Sequence, residues 1–510
     1  MPKRDRTTAF APRVKKKLVP FWNQSSVEWS DRLWKCALDD SVATPPASWD
    51  RNLSSLGHNS WFSVRQTIPL VKSNCAKALP KCMWRALAGP MTAGPMTTGP
   101  MTAGLTETED APKASIGGLR KIRIYPTESQ QETIKACLGA VRWTYNRAVA
   151  YINDEGSVGK RSIKDLRAFC VNNDVIKVSK RSSWAGSIPY AIRDEGVRDV
   201  QKAVGSNMAK QRIRRANGLA FSFKLRYRRK KYAFQETMVL HSQYWQNKRG
   251  FYHDFIGCSG SKLRAAEELP DTLYYDIRLV RTRLNEYFLC IPTACAAVHD
   301  ENQVIDDPST VALDPGVRTF MTAYAASGQV VEWGRGDITR IHRLCHVIDS
   351  LESRYDTVNH RLRYRLRRAA LRIRRKIRRL VDELHYKLIQ WLLRSFKAIL
   401  IPLFETQQMV KRKNGHRRLS SQTAKAMCTW SHFRFRTNLK NKAKSFPGAC
   451  VIETTEEFTS KTCGQCGKIN AKLGSSKTFS CGACGFRSDR DFNGARNIMI
   501  RHLTVTRVDL

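Results

Sequence analysis

At 510 residues, 42% of them hydrophobic, the chain has room for several domains and the composition of a folded protein rather than a disordered one. Its 88 Lys and Arg against 44 Asp and Glu leave a formal net charge of +44, which calls for a polyanionic partner, nucleic acid or a membrane surface. A spanning segment is excluded, because the most apolar run, LIQWLLRSFKAILIPLF (388–404), is broken by Arg394 and Lys397.

The opening MPKRDRTTAF has no apolar core of a secretory signal. Residues 1–115 read as an N-terminal extension, largely without fixed structure. Its basic clusters (Lys3, Arg4, Arg6; Arg13, Lys15, Lys16, Lys17) suit a nuclear address or a solvated arm. It closes in GPMTAGPMTTGPMTAGLTETEDAP (89–112), whose Gly-Pro every five residues rules out a helix or an inner strand and marks a linker.

Order resumes with GLRKIRIYPT (118–127), alternating as a strand does. Residues 128–154 follow as a helix, with Ile134, Leu138, Val141, Tyr145 and Val149 on one face. Trp143 and Tyr145 on this helix read as core. Residues 160–215 read as further helices, ending in the basic NMAKQRIRR. FSFKLRYRRKKYAF (221–234) alternates aromatic or apolar with basic residues, and 276–292 reads as a hairpin turning near Asn285. A helical insert therefore sits between strands of a small basic β-domain.

The third region opens with STVALDPGVRTFMTAYAASGQVVEWG (309–334): an apolar strand ending at Asp314, a turn, and a second strand. A helical stretch covers roughly 340–397. Within it RLRYRLRRAALRIRRKIRR (361–379) is rich in bases and holds no acid, while Leu362, Leu366, Ile373, Ile377, Leu380, Leu384 and Leu388 form one apolar stripe. The bases suit a phosphate backbone better than a plain solvated face. KAILIPLFETQQM (397–409) and CVIETTEEF (450–458) read as strands, and 489–503 as a terminal helix. His416, Arg417 and Arg418 lie in a polar loop (410–422) that suits either a lid or an ordinary surface turn.

Four of the 15 cysteines, Cys463, Cys466, Cys481 and Cys484, form two Cys-x2-Cys knuckles, each followed by Gly. Two residues between cysteines let one tight turn present both thiolates to a tetrahedral ion, so a zinc site is expected. Four thiolates leave no open position, which makes that zinc structural. A redox dithiol pair is the competing reading. The remaining cysteines are scattered, as in a reducing compartment.

Three carboxylates stand at element ends: Asp314 in VALDPG, Glu405 in ILIPLFETQQ and Asp491 in SDRDFNGARN. Each has a plain alternative. Asp-Pro-Gly makes turns, Glu405 suits an exposed strand end, and Asp491 suits a helix N-cap, as do Ser488 and Asp489. Together, strand-Asp, strand-Glu and helix-Asp is the layout by which an RNase H-type fold gathers carboxylates around two divalent ions for phosphodiester hydrolysis.

LDPGVRTF, PLFETQQM and TSKTCGQCG…SCGACGFRSDRDFNGARNI resemble the three RuvC motifs and zinc ribbon of the TnpB/Fanzor family of transposon-encoded, RNA-guided DNA endonucleases, relatives of type V CRISPR effectors. Upstream, KIRIYPTESQ…RWTYNRA and FKLRYRRKKYAFQ resemble the family's opening elements and basic β-domain, so the likeness covers roughly 118–503. PLFETQQM lacks the acid that follows the Glu in bacterial members, and with the long N-terminal extension this leans towards the Fanzor branch. The resemblance implies an α/β multidomain chain. A RuvC-like nuclease core with a basic helical insert (306–462) receives a zinc ribbon (463–485) before its final segment (486–510). A wedge-like β-barrel (116–130 and 217–305) carries a helical recognition insert (131–216). It implies catalytic Asp314, Glu405 and Asp491 on two Mg2+, structural Zn2+, a guide RNA, and target DNA beside a short flanking motif. A monomeric ribonucleoprotein with no membrane partner is expected, nuclear in a eukaryotic host and cytoplasmic otherwise. Nucleic-acid contacts are expected at Arg365, Arg368, Arg372, Arg375, Arg379, Lys224, Arg226, Arg228 and Lys230. A catalytically silent RNA-guided binder and a transposase are the alternatives. The intact carboxylates weigh against the first, and the position of the ribbon weighs against the second.

Overall fold

The protein is described by a computed structural model covering residues 60–67, 116–154, 162–177, 183–220, 222–230, 235–246, 250–252, 256–257, 263–294, 310–411, 419–471, 473–474 and 476–505. The Gly-Pro-Met-Thr linker, most of the N-terminal extension and the loop residues His416, Arg417 and Arg418 lie outside these residues. Two compact units are present, one formed by 109–296 and one by 1–108 with 297–510. The first described strand, β1 (Val64–Thr67), belongs to the second of these.

In the 109–296 unit, β2 (Ile116–Ile124) leads into the long helix α1 (Glu128–Asp154). Thr127 and Gln130 start α1 as a reciprocal cap, each side chain binding the other's backbone N–H. The predicted stripe Ile134, Leu138, Val141, Tyr145 and Val149 is buried throughout. Short helices α2 (Ile163–Cys170), α3 (Asn173–Lys177) and α4 (Ser183–Gly186) precede a second long helix, α5 (Tyr190–Ala216), which packs on α1. Strands β3 (Gln235–Leu240), β4 (Trp245–Gln246), β5 (Gly250–Phe251), β6 (Ile256–Gly257), β7 (Ile277–Thr282) and β8 (Tyr287–Ala294) complete the unit. Among the described residues they form two open sheets, β2-β8-β7-β3 and β4-β5-β6. The β7–β8 hairpin turns at Asn285, whose φ of 58° is one Asn tolerates well. Residues 222–229 run without regular structure, with Leu225 buried and Lys224, Arg226 and Arg228 exposed.

In the other unit the sequence after β8 gives a three-stranded meander, one strand more than expected: β9 (Thr310–Pro315), β10 (Met321–Ala325) and β11 (Val330–Trp333). The helical stretch is two helices, α6 (Ile338–Ser353) and α7 (His360–Ser395), the second capped by the Asn359 side chain. Then come β12 (Ala398–Pro402), α8 (Thr406–Val410), α9 (Ser421–Trp430), α10 (His432–Ala443) and β13 (Cys450–Thr454). A small hairpin, β14 (Thr478–Ser480) with β15 (Arg487–Asp489), precedes the last helix, α11 (Arg490–Val505).

The main sheet runs β1-β11-β10-β9-β12-β13, with β9, β12 and β13 parallel and β10 antiparallel to β9. Strand alternation sorts its two faces. Val311, Leu313, Ile399 and Ile401 join a core with α6, α7, α9 and α10. Ala312 and Leu400 pack on the other face against Ala495, Ile498 and Met499 of α11.

In the 109–296 unit, Gly196 lets α5 approach α1 so closely that an added Cβ would lie 2.7 Å from the Val141 carbonyl oxygen. Gly196→Ala is expected to destabilise that unit by about 1–3 kcal/mol. Denaturant unfolding checks this, and an unchanged midpoint would contradict it.

Candidate metal-binding and nucleic-acid sites

Asp314 ends β9 on the face covered by α11, since it lies two residues beyond Ala312. The α11 backbone meets its carboxylate at Gly494, where a Cβ would stand 2.7 Å from Asp314 Oδ2. Asp491 is the second residue of α11. Its N–H donates to Asp489 Oδ1 (2.9 Å), so Asp489 acts as the cap and leaves the Asp491 carboxylate available. Burial, with the negative charges of Asp491 and Glu456, pushes the Asp314 carboxyl well above its usual range, against the pull of Arg490. Burial, Asp489 and Glu332 raise Asp491, opposed by Arg490 and Arg318. The structure thus brings two of the three expected carboxylates together.

Glu405 is in neither set of charges. It is exposed and starts α8 with no side-chain capping bond. Strand register explains this. Leu400 pairs with Ala312, so two residues on it is Pro402 that lies level with Asp314, and Glu405 comes a further turn of chain later. Pro402 in turn pairs with Thr454 of β13, and Glu456 lies two residues beyond Thr454. Glu456 is half-buried, and burial pushes its carboxyl up to about 7. The sequence reading missed Glu456 and also Glu332, whose carboxylate is nearly inaccessible and held by Arg335 Nη1 (2.6 Å). Thr322 of β10 pairs with both Asp314 and Glu332, so the two acids flank it across the sheet. The signal for Glu456 was the two-residue periodicity of CVIETTEEF, legible only once the parallel register was known.

The four knuckle cysteines bring their Sγ atoms within 4.8 Å of one another, with Cys463–Cys484 and Cys466–Cys481 each 3.6 Å apart. Gly467 and Gly485, which close the knuckles, have φ of 73° and 68°, the backbone region glycine favours. The cluster fits one metal ion held by four thiolates. Its first knuckle is fastened to α11. Asn493 Nδ2 donates to the Thr462 carbonyl (2.8 Å), and its Oδ1 accepts from Gly464 N–H (3.0 Å). Asn497 Nδ2 donates to the Thr459 (2.9 Å) and Thr462 (2.8 Å) carbonyls, and Arg496 donates to that of Gly464. Both asparagines are buried, so the helix bearing Asp491 is set by the knuckle.

On α7, Leu366, Ile377, Leu384 and Leu388 of the expected stripe are buried, and Leu362, Ile373 and Leu380 are half-buried. Arg365, Arg372 and Arg379 are exposed, while Arg368 and Arg375 are half-buried. Arg374 pairs with Glu352 and Arg363 donates to the Tyr355 carbonyl, so part of this basic set serves the fold. In the 109–296 unit, Lys224, Arg226 and Arg228 line a cleft of about 1140 Å3 together with Arg142, Arg229 and Arg278. Arg228 is also fixed by Asp199 (2.8 Å) and lies 3.8 Å over the Tyr145 ring, and Lys230 is exposed beside the cleft residues in sequence. Tyr145 is core, as expected, and Trp143 is half-buried against Trp184. No helix among the described residues is long and apolar enough to cross a membrane.

Two family models match the chain. The Cas12f1-like TNB domain matches 432–498, which holds Glu456, the knuckles and Asp491. The helix-turn-helix domain of the IS605 OrfB type matches 120–157, where the structure has the end of β2 and the single helix α1. A transposase-named protein of Paramecium bursaria Chlorella virus 1 is 28% identical over 76% of this chain and 87% of its own. A TnpB-like protein of Acanthamoeba polyphaga mimivirus is 25% identical over 74% of this chain and 72% of its own. A protein of Streptomyces pristinaespiralis named as an RNA-guided DNA endonuclease is 23% identical over 76% and 89%. Over about three quarters of its length the chain is thus similar to TnpB-like proteins and transposases.

Two expectations follow. Elemental analysis should find one thiolate-bound metal ion per chain, and Cys463→Ser should lose it and lower the melting temperature. A stable, metal-free Cys463→Ser protein would contradict a structural cluster. Because Glu456, Asp314 and Asp491 hold protons in the fold that the unfolded chain has already released, the stability they contribute in chelator should fall as pH rises from about 4.5 to about 7, against the opposite slope of the buried, neutral His385 and His432. Melts of the wild type and Glu456→Gln across that window separate the two: the wild type should lose stability relative to Glu456→Gln as pH rises, and no relative loss would contradict the raised Glu456 carboxyl.

Proposed function

We propose that the chain is an RNA-guided DNA endonuclease encoded by a transposable element, cutting phosphodiester bonds at one carboxylate site. The observation that carries this reading is the gathering of Asp314, Asp491 and Glu456 at one end of the parallel strands of a chain whose net charge is +44. A protein built to meet polyanions gains nothing from a crowded acidic site unless cations offset it. The antiparallel meander, the two parallel strands beside it and the acid on its first strand support an RNase H-like (RuvC) core.

Asp314 and Asp491 would hold Mg2+, with Glu456 in the third place that the sequence reading gave to Glu405. Hard oxygen donors suit Mg2+, and two such ions supply an activated water and offset charge on the leaving oxygen. Arg318, Arg335 and Arg490 border the acids and would face the substrate's phosphates. The four thiolates suit zinc, which has no open position there for chemistry.

Guide RNA and target DNA are the partners, the DNA chosen by pairing and by a short flanking motif. The exposed arginines of α7 and the cleft around Arg142 and Arg226 are the phosphate-binding surfaces. Relatives in two viruses of eukaryotic cells support the Fanzor branch.

Cleavage of DNA matching the co-purified RNA tests the site. Asp314→Asn and Glu456→Gln should each lower the rate by at least about a hundredfold and leave RNA retention intact. Glu405→Gln should stay within a few-fold of wild type. The reverse pattern, with Glu405→Gln dead and Glu456→Gln active, would overturn the assignment of the third acid.

A further inference from the structure

The turn that follows Asp314 is held from outside the sheet. Asp314 and Pro315 end β9, and the chain returns into β10 through 316–320. Gly316 N–H bonds the Phe320 carbonyl within the turn (3.2 Å), and the carbonyls of Gly316 and Val317 find partners outside it. Both are taken by the junction between α9 and α10. Trp430 Nε1 donates to the Val317 carbonyl (2.9 Å) and His432 Nε2 to the Gly316 carbonyl (3.0 Å).

That junction is built to deliver both donors. Ser431 between them has φ 55° and ψ 50°, a left-handed conformation unusual outside glycine and asparagine. It breaks the helix there, so two side chains two positions apart reach consecutive carbonyls of the same turn. His385 of α7 fixes the junction from behind, its Nε2 donating to the Trp430 carbonyl (2.9 Å). Phe320, at the far end of the turn, lies between the two imidazoles, its centroid 4.9 Å from His385 and 5.0 Å from His432. Burial keeps the His432 ring neutral, its pKa pushed down to about 4, so with a carbonyl as acceptor the proton sits on Nε2.

We infer that Trp430 and His432 are positioning residues that clamp the Asp-Pro-Gly turn and so hold the Asp314 carboxylate in place for divalent-ion binding. The inference rests on the nuclease reading for the ion, but not for the clamp. Packing alone would be served by any aromatic pair of the same volume. Two N–H donors on adjacent carbonyls of this turn are what packing does not require.

The test uses the full-length protein with its co-purified RNA, and variants that keep an aromatic ring while losing the donor. His432→Phe and Trp430→Phe should each raise amide hydrogen exchange across 315–320 by about five- to tenfold, with β12 unchanged. Each should weaken Mn2+ binding at the Asp314 site by a similar factor, and excess Mn2+ should restore the cleavage rate. His432→Gln, which keeps an N–H donor, should recover part of both effects. Unchanged exchange across 315–320 would overturn the clamp. Faster exchange with unchanged Mn2+ affinity would show that the turn is held but that Asp314 does not depend on it. Trp430→Phe reports the same two quantities if His432→Phe does not fold. If the wild-type protein shows no Mn2+ binding that Asp314→Asn removes, the nuclease reading fails, and the exchange measurement still decides the clamp.

Discussion

The contact between the Asp314 carboxylate and the α11 backbone at Gly494 is the constraint on which the larger unit turns. It forces an acid from the middle of the sheet against the helix that carries a second acid, in surroundings where burial already disfavours charge. Like charges crowded in this way raise one another's pKa and cost stability, so the arrangement makes physical sense with cations between them. The arginines at its border counter the repulsion in part, which is why Arg490 and Arg318 pull against the upward shifts.

Three supports keep that contact in register. The parallel strands set which residues reach the edge together, Leu400 beside Ala312 on one side and Pro402 beside Thr454 on the other. Asp489 caps the first turn of α11. Asn493 and Asn497 bind the backbone of the first knuckle, so the cysteine cluster is part of the scaffold of Asp491 rather than a separate module. A closed thiolate cluster needs no chemistry of its own to matter here, since any shift of its knuckle moves the helix.

The knuckles were legible because their geometry is local: two residues and a glycine decide each turn. The stripe of α1 and the Asn285 hairpin were legible for the same reason. Asp314 and Asp491 stood out because each sits where an element begins or ends. Glu405 stood out equally and is exposed, while Glu456, whose charge acts on Asp314, went unnoticed in an acidic run, because which acids meet depends on how β9, β12 and β13 align. That register is a long-range property that one sequence does not carry. The aromatic-basic alternation in 222–229 is not carried by a strand among the described residues: Asn146 bonds both backbone groups of Arg228, and the stretch lies against helices. Trp430 and His432 carried no recognisable signal in the sequence, and only the structure shows the carbonyls they meet.

Melting the purified protein in chelator and then in Mg2+ tests the central claim most directly. An ion that binds the folded site and not the unfolded chain must raise the melting temperature. The account predicts that Mg2+ stabilises the wild type, that Asp314→Asn is the more stable protein in chelator because a buried acid crowded by Asp491 and Glu456 is gone, and that Mg2+ then adds nothing to it. A wild type indifferent to Mg2+, or an Asp314→Asn protein that Mg2+ stabilises as much as the wild type, would contradict it.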